Sequence, residues 1–203
     1  MFIVCFDLEG VFTPEIWICI AEAKGIDELK ITTRDEPDYD KLMKKRLKIL
    51  KENGIKIKDI QNIIAEMELL PGAQEFMDWI RSVAQVAIIT DNYKEFLKPI
   101  LKKLGYPLCF HHQLELDENG FITNYKLTTH NMKKKAVRFF KNMNYKVIAV
   151  GDSYNDIKML KEADYGILFK PPKKVEDQFP EFPIVDNYND FKKILDNYLE
   201  ESH

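Results

Sequence analysis

Hydrophobic and polar positions alternate along this chain in blocks that read in turn as strands and helices. Phe2 to Phe6 is an unbroken apolar run that meets Asp7, Leu8, Glu9 and Gly10, the pattern of a buried parallel strand delivering acids to a sheet edge. After Gly10 the period changes. Thr13 can cap a helix, Pro14 suits its first position, and Ile16, Trp17, Ile20 and Ala21 share one face before Gly25. A short segment at Ile26 to Lys30 and a polar run from Thr32 to Pro37 precede a longer helix that opens at Asp38 or Asp40. That helix carries Leu42, Met43, Leu47, Ile49 and Leu50 and ends at Gly54, and a further helix is expected from Lys58 to Leu69. Residues 14–70 therefore read as a small all-helical unit.

Beyond the stop at Leu70-Pro71-Gly72, strand and helix alternate again. The pattern predicts a helix from Ala73 to Ser82, a strand from Gln85 to Thr90, a helix from Tyr93 to Leu104 and a short strand at Leu108 to Phe110. Asp117-Glu118-Asn119-Gly120 is a hairpin signal between Gln113–Leu116 and Phe121–Leu127. A helix from Lys133 to Met143, with Ala136, Val137, Phe139 and Phe140 on its buried side, leads to the strand Lys146 to Val150 and a helix through Leu160. Strands at Tyr165–Phe169 and Ile184–Val185 and a helix from Asn189 complete the series. This alternation predicts an α/β fold around a parallel sheet, whose active site lies at the carboxyl ends of the strands. Three such ends are polar: Asp7-Leu-Glu9, Thr90-Asp91-Asn92, and Gly151-Asp152 through Asp156.

Composition narrows the classes. At 203 residues and 45% hydrophobic, the chain can fill one α/β core with a modest insertion. No apolar run approaches a membrane span, and the start lacks the basic leader of a signal peptide, so a cytoplasmic protein is expected. Cys5, Cys19 and Cys109 are too widely spaced for a zinc site and fit reduced thiols. A net charge of −3 argues against nucleic-acid or anionic-membrane partners. His111, His112 and His130 read as surface loop residues, and Trp17, Phe139 and Phe140 as core. The oligomeric state stays open, a dimer being one option.

Asp7 and Glu9 point the same way if the strand runs on past Phe6, and two acids sharing a site imply either a divalent cation or a shared proton. Asp7 with Asp152 offers the hard oxygen ligands that suit magnesium. With one carboxylate as nucleophile, the chemistry is in-line attack on phosphorus to give an aspartyl phosphate. Thr90 and a lysine near the start of the Lys133 helix are the candidate donors to the phosphoryl oxygens. Chemistry alone does not choose among Lys133, Lys134 and Lys135.

The ordered set Asp7-Leu-Glu9-Gly10, Thr90, Lys133 and Gly151-Asp152-Ser-Tyr-Asn155-Asp156 resembles the four motifs of the haloacid dehalogenase superfamily. The helical segment resembles the small cap of its phosphoserine phosphatase branch. Asp-Leu-Glu-Gly-Val, Pro-Glu-Ile-Trp-Ile, Thr-Thr-Arg-Asp, Pro-Asp-Tyr-Asp and Gly-Asp-Ser-Tyr-Asn-Asp resemble its bifunctional phosphoserine phosphatase/homoserine phosphotransferase type over almost the whole chain. The resemblance implies a Rossmann-like core at 1–13 and 71–203 with a C1-type cap at 14–70. It also implies magnesium, phosphoserine as substrate, homoserine as a further acceptor, and a place in serine and amino-acid biosynthesis. By the same resemblance Asp7 is the nucleophile, and Glu9 the general acid/base whose backbone carbonyl meets the metal. Asp152 is a metal ligand supported by Asp156. Thr90 and Lys133 hold the phosphoryl group, Asn155 helps bind substrate, and Glu15 and Arg46 take the substrate's amino and carboxylate groups. Two departures stand out. Glu9 replaces the usual second Asp, which is expected to favour transfer to an alcohol over hydrolysis. Asp91 and Asn92 stand where glycines are usual, and are expected to narrow the pocket. Alternatives are a phosphatase for another small ester, such as a sugar phosphate, and a phosphoacceptor signalling module, which needs no cap and would keep its aspartyl phosphate for minutes.

Overall fold

A computed structural model describes residues 1–203 except 33, 34, 37 and 201–203, and the side chains of 199 and 200. The Thr33, Arg34 and Pro37 positions of the quoted resemblance thus lie outside the described residues. Seven strands form one sheet: β1 (Phe2–Phe6), β2 (Gln85–Tyr93), β3 (Leu108–Leu116), β4 (Ile122–Lys126), β5 (Lys146–Gly151), β6 (Tyr165–Phe169) and β7 (Ile184–Val185). Their order is β4-β3-β2-β1-β5-β6-β7, parallel throughout except for the β3–β4 hairpin. The chain builds outward from β1 through β2 to β4, then returns to lay β5 on β1's other side. The direction of winding therefore reverses at β1, which is where open α/β sheets place their ligands.

The nine α-helices of the described chain are α1 (Ile16–Lys24), α2 (Tyr39–Glu52), α3 (Ile57–Glu66), α4 (Ala73–Val83), α5 (Lys94–Lys103), α6 (Met132–Asn142), α7 (Ile157–Glu162), α8 (Lys173–Gln178) and α9 (Tyr188–Glu200). Strand alternation divides the core cleanly. Val4 and Phe6 face the layer of α4, α5 and α9, while Ile3 and Cys5 face that of α6, α7 and α8. The helical segment α1 to α3 shares the first of these clusters, through Ile16, Ile20, Met43, Ile60 and Ile64, so it is packed onto the sheet layer. At its centre Phe6 meets Phe12 and Phe76 edge-on, and Phe76 meets Phe191 likewise, with Phe6–Phe12 ring centroids 5.1 Å apart. No described helix is long and apolar enough to cross a membrane.

Several expectations are corrected. Leu108–Phe110 and Gln113–Leu116 are one strand, because the backbone stays extended through His111, which read as a break, and pairs again at His112 with Tyr93 after a register shift. The helix expected to Leu69 ends at Glu66. Phe139 is 53% exposed: Ala136, Val137 and Phe140 lie on one helical face, and Phe139 stands outside it, its ring edge-on to that of Phe140 with centroids 5.4 Å apart. Thr13 does not cap α1. Its hydroxyl is buried without a partner, and the first N–H of α1 is claimed by Glu9 instead.

Candidate active site

Asp7 leaves β1 still in register, its N–H donating to the Val150 carbonyl at 2.9 Å, so its side chain stands beside the end of β5. The chain then turns sharply on Gly10, at φ +73°. A Cβ there would come within 2.4 Å of Asp152 Oδ2, so only glycine lets the two strand-end loops approach this closely. Gly151 plays the same part for Asp156, whose Cγ would lie 2.3 Å from an added Cβ. Asp7, Asp152 and Asp156 are thereby gathered with carboxylate oxygens within 4.8 Å of one another.

One cation answers these acids. Lys133, in the first turn of α6, is buried and donates to Asp156 Oδ1 at 2.7 Å and Asp7 Oδ1 at 2.9 Å, with Asp91 Oδ2 at 3.6 Å. Of the adjacent lysines, Lys134 pairs with Glu162 and Lys135 donates to Thr129, so Lys133 alone of the three turns inward. The other Asp156 oxygen accepts from the Asp152 and Ser153 N–H groups and the Ser153 hydroxyl, each at 3.1 Å, which makes Asp156 the brace of this loop. Three carboxylates against one ammonium leave negative charge uncompensated. Burial, with Asp156 adding, raises the Asp7 pKa well above the carboxylate range and pushes Asp152 up to about 7. Burial alone would lower Lys133, but Asp156, Asp7 and Asp91 outweigh it and hold the ammonium charged. A small divalent cation with oxygen preference fits this donor set and would relieve its repulsion.

Glu9 stands apart from the cluster but opens on the same cleft, of about 310 Å³, which Asp7, Glu15, Arg46, Lys133 and Asp152 also line. Its carboxylate accepts the Ile16 N–H of α1 at 2.6 Å through one oxygen and the Asn92 side-chain amide at 2.8 Å through the other. Burial, with Glu15 adding, pushes Glu9 up to about 7, against the two hydrogen bonds that favour its charged form. It can therefore exchange a proton near neutrality.

Thr90 is buried beneath Asn92 and accepts from it, and it is Asn92 and Asp91 that face the cleft at this strand end. Asn155 is exposed on the cleft rim, and Glu15 sits exposed at the start of α1. Arg46 is buried in α2, its guanidinium 4.4 Å from the Trp17 ring and donating to the Ile31 carbonyl at 2.6 Å, while its Nε has no partner. Sequence reasoning placed Asn92 at the pocket without its link to Glu9, and it read His112 as a surface loop residue. His112 is not a surface residue. It is buried on β3, accepts the Thr128 N–H at Nδ1, and turns Nε2 to Asp91 at 3.6 Å. Burial raises the Asp91 pKa, yet Lys133 and His112 outweigh it and bring this acid to about 2. A wider groove of about 920 Å³ shares Asp91, Lys133 and Tyr154 with the cleft and runs out past Lys158 and Lys174.

Comparison with known proteins now adds to the geometry. The chain is 51% identical over 193 residues, 95% of its length and 94% of the relative's, to the phosphoserine phosphatase ThrH of Pseudomonas aeruginosa. It is 49% identical to a phosphoserine phosphatase of Pseudomonas syringae pv. tomato, covering 94% of this chain and 81% of that one. Among solved structures, a substrate-bound phosphoserine phosphatase complex shares the fold with a TM-score of 0.77 at 21% identity, over 96% of this chain and 97% of that one. A phospho-aspartyl intermediate analogue of a phosphoserine phosphatase does so at 0.73 and 21%, over 90% and 91%. The sequence profile of haloacid dehalogenase-like hydrolases matches residues 3–164, and with it the chain belongs to that family.

Proposed function

We propose that this protein is a magnesium-dependent phosphatase for O-phospho-L-serine that works through an aspartyl phosphate on Asp7. The observation that carries the reading is that one cleft holds a complementary group for each part of that molecule. Glu15 is an anion for the ammonium, Arg46 a cation with an unpartnered buried Nε for the carboxylate, and Lys133 beside Asp7 a cation for the phosphoryl group. The two close Pseudomonas relatives carry the same activity in their names. A sugar phosphate has no charge to set against Glu15 or Arg46.

Asp7 attacks phosphorus through a carboxylate oxygen, and the bond to the serine oxygen breaks in line. Glu9 delivers the proton that the departing alkoxide needs, then takes one from the water that attacks the aspartyl phosphate. Lys133 holds the transferring group against Asp7, and Asp156 holds Lys133. Asp7, Asp152 and the Glu9 carbonyl, with Asp156 as support, would hold magnesium, which when bound would neutralise carboxylate and phosphoryl charge. Both Glu9 oxygens are held, one by the Ile16 N–H and one by the Asn92 amide, which fixes where the longer acid exchanges its proton and suits a second reaction with an alcohol presented by its own binding groups. Homoserine, with the same amino and carboxylate groups as serine, is the acceptor for this second reaction. The three free thiols suit a cytoplasmic setting.

Supplying phosphoserine with and without homoserine, in magnesium and then in EDTA, tests the reaction. Free phosphate and phosphohomoserine are expected in magnesium and neither in EDTA, and equal turnover in EDTA contradicts the assignment. Arg46→Ala is expected to cost phosphoserine turnover about 100-fold, the scale of one charge-assisted contact of about 2–3 kcal/mol, while sparing p-nitrophenyl phosphate, which has no carboxylate. Equal losses on both substrates would remove Arg46 from substrate recognition.

A further inference from the structure

Asn92 belongs to no motif, yet it touches two residues of the proposed reaction at once. Its side-chain amide has two hydrogens. One meets Glu9 Oε2 at 2.8 Å and the other Thr90 Oγ1 at 3.2 Å, and its backbone N–H also donates to Thr90 Oγ1 at 3.2 Å. The residue is 3% exposed, at the point where β2 opens onto the cleft. Glu9 fixes which end of the amide faces it, since a carboxylate oxygen has nothing to accept from the carboxamide oxygen.

A hydroxyl has one hydrogen and two lone pairs. Asn92 fills both lone pairs of Thr90, so donation is the one role left to that hydroxyl, and no described residue takes its hydrogen. Donation is what a phosphoryl oxygen requires. On the other side, the same amide and the Ile16 N–H pin the longer acid at position 9 by both oxygens. We propose that Asn92 is a positioning residue that ties Glu9 to Thr90, holding the proton carrier in place and leaving the buried Thr90 hydroxyl able only to donate, as the phosphoryl contact expected of it requires. This inference rests on the proposed attack of Asp7 on a phosphate ester.

Asn92→Asp tests it with almost no change of shape. An oxygen replaces the amide nitrogen, so Thr90 turns its hydrogen to the new carboxylate and Glu9 faces a second acid. The expected result is a loss of roughly 100-fold in kcat on phosphoserine, the scale of a misplaced transition-state donor, measured below a melting temperature that the second buried acid lowers. Asn92→Ala, which leaves the Thr90 hydroxyl free to rotate, is expected to lose about tenfold. Nitrophenolate leaves without a proton, so its single-turnover release from p-nitrophenyl phosphate should fall less than phosphoserine turnover in Asn92→Asp. In a Thr90→Val background the Asn92→Asp substitution should then cost that release nothing further.

If Asn92→Asp keeps kcat within about twofold of the parent protein, the inference is overturned. Equal losses on both substrates, measured where the variant is fully folded, overturn it too, since they mark a merely structural residue. If the unaltered protein turns over neither ester in magnesium, the phosphatase reading itself fails and the inference falls with it.

Discussion

Asp7→Asn is expected to abolish turnover, by at least about 10⁴-fold, the scale seen when a covalent nucleophile is removed, while the protein stays folded. An amide has no free carboxylate to attack phosphorus, yet it keeps an oxygen that can accept from Lys133. Stability should move in the opposite direction from activity when no metal is supplied. The Asp7 pKa is raised by its burial and by Asp156, which means that its charge is held in the fold at a cost, and the neutral amide removes that cost. In EDTA the variant therefore melts at or above the parent protein. In magnesium the order reverses. A cation bound at about 100 times its Kd stabilises the parent by about 2.7 kcal/mol, and the variant has lost one of the carboxylates that hold it. Thermal melts with and without magnesium check both halves.

The second large effect is at Lys133. Lys133→Met keeps much of the side chain's volume but withdraws the one ammonium that Asp7 and Asp156 share at 2.9 and 2.7 Å. Removing one member of a buried charge cluster leaves the others uncompensated, at a cost of about 3–5 kcal/mol. Here the loss is expected at the upper end in EDTA, because Asp7, Asp91 and Asp156 all face the missing charge. Magnesium should recover part of it. Turnover should fall by roughly 10²–10³-fold even in magnesium, since a donor to the transferring phosphoryl group is gone. A melting temperature unchanged in EDTA would show that Lys133 does not hold these acids.

The sheet and its acids were legible in the sequence for a simple reason. Buried parallel strands such as Phe2–Phe6 and Lys146–Val150 are continuous apolar runs, and their polar ends mark the sheet edge. Asp7 and Asp152 could thus be paired from the alternation of elements alone. β3 was less legible, because it is half exposed and carries His111, His112 and Gln113 inside a strand. α8, six residues with Val175 as its buried apolar residue, offers no helical period to read. The polar second layer was the least legible part. That Glu9 caps α1, that Asn92 bridges Glu9 and Thr90, and that His112 lies buried against Asp91 all depend on side chains meeting across 7 to 83 positions of chain. No local pattern encodes those meetings.

The central claim is that the phosphoryl group rests on Asp7 during turnover. Acid quench within milliseconds of mixing the protein with phosphoserine and magnesium, followed by peptide mapping, tests it directly. The account predicts a hydroxylamine-labile phosphoryl group on the peptide that contains Asp7, present during turnover and gone when substrate is exhausted. Turnover with no acyl phosphate on that peptide, or with the group on a different residue, would contradict it.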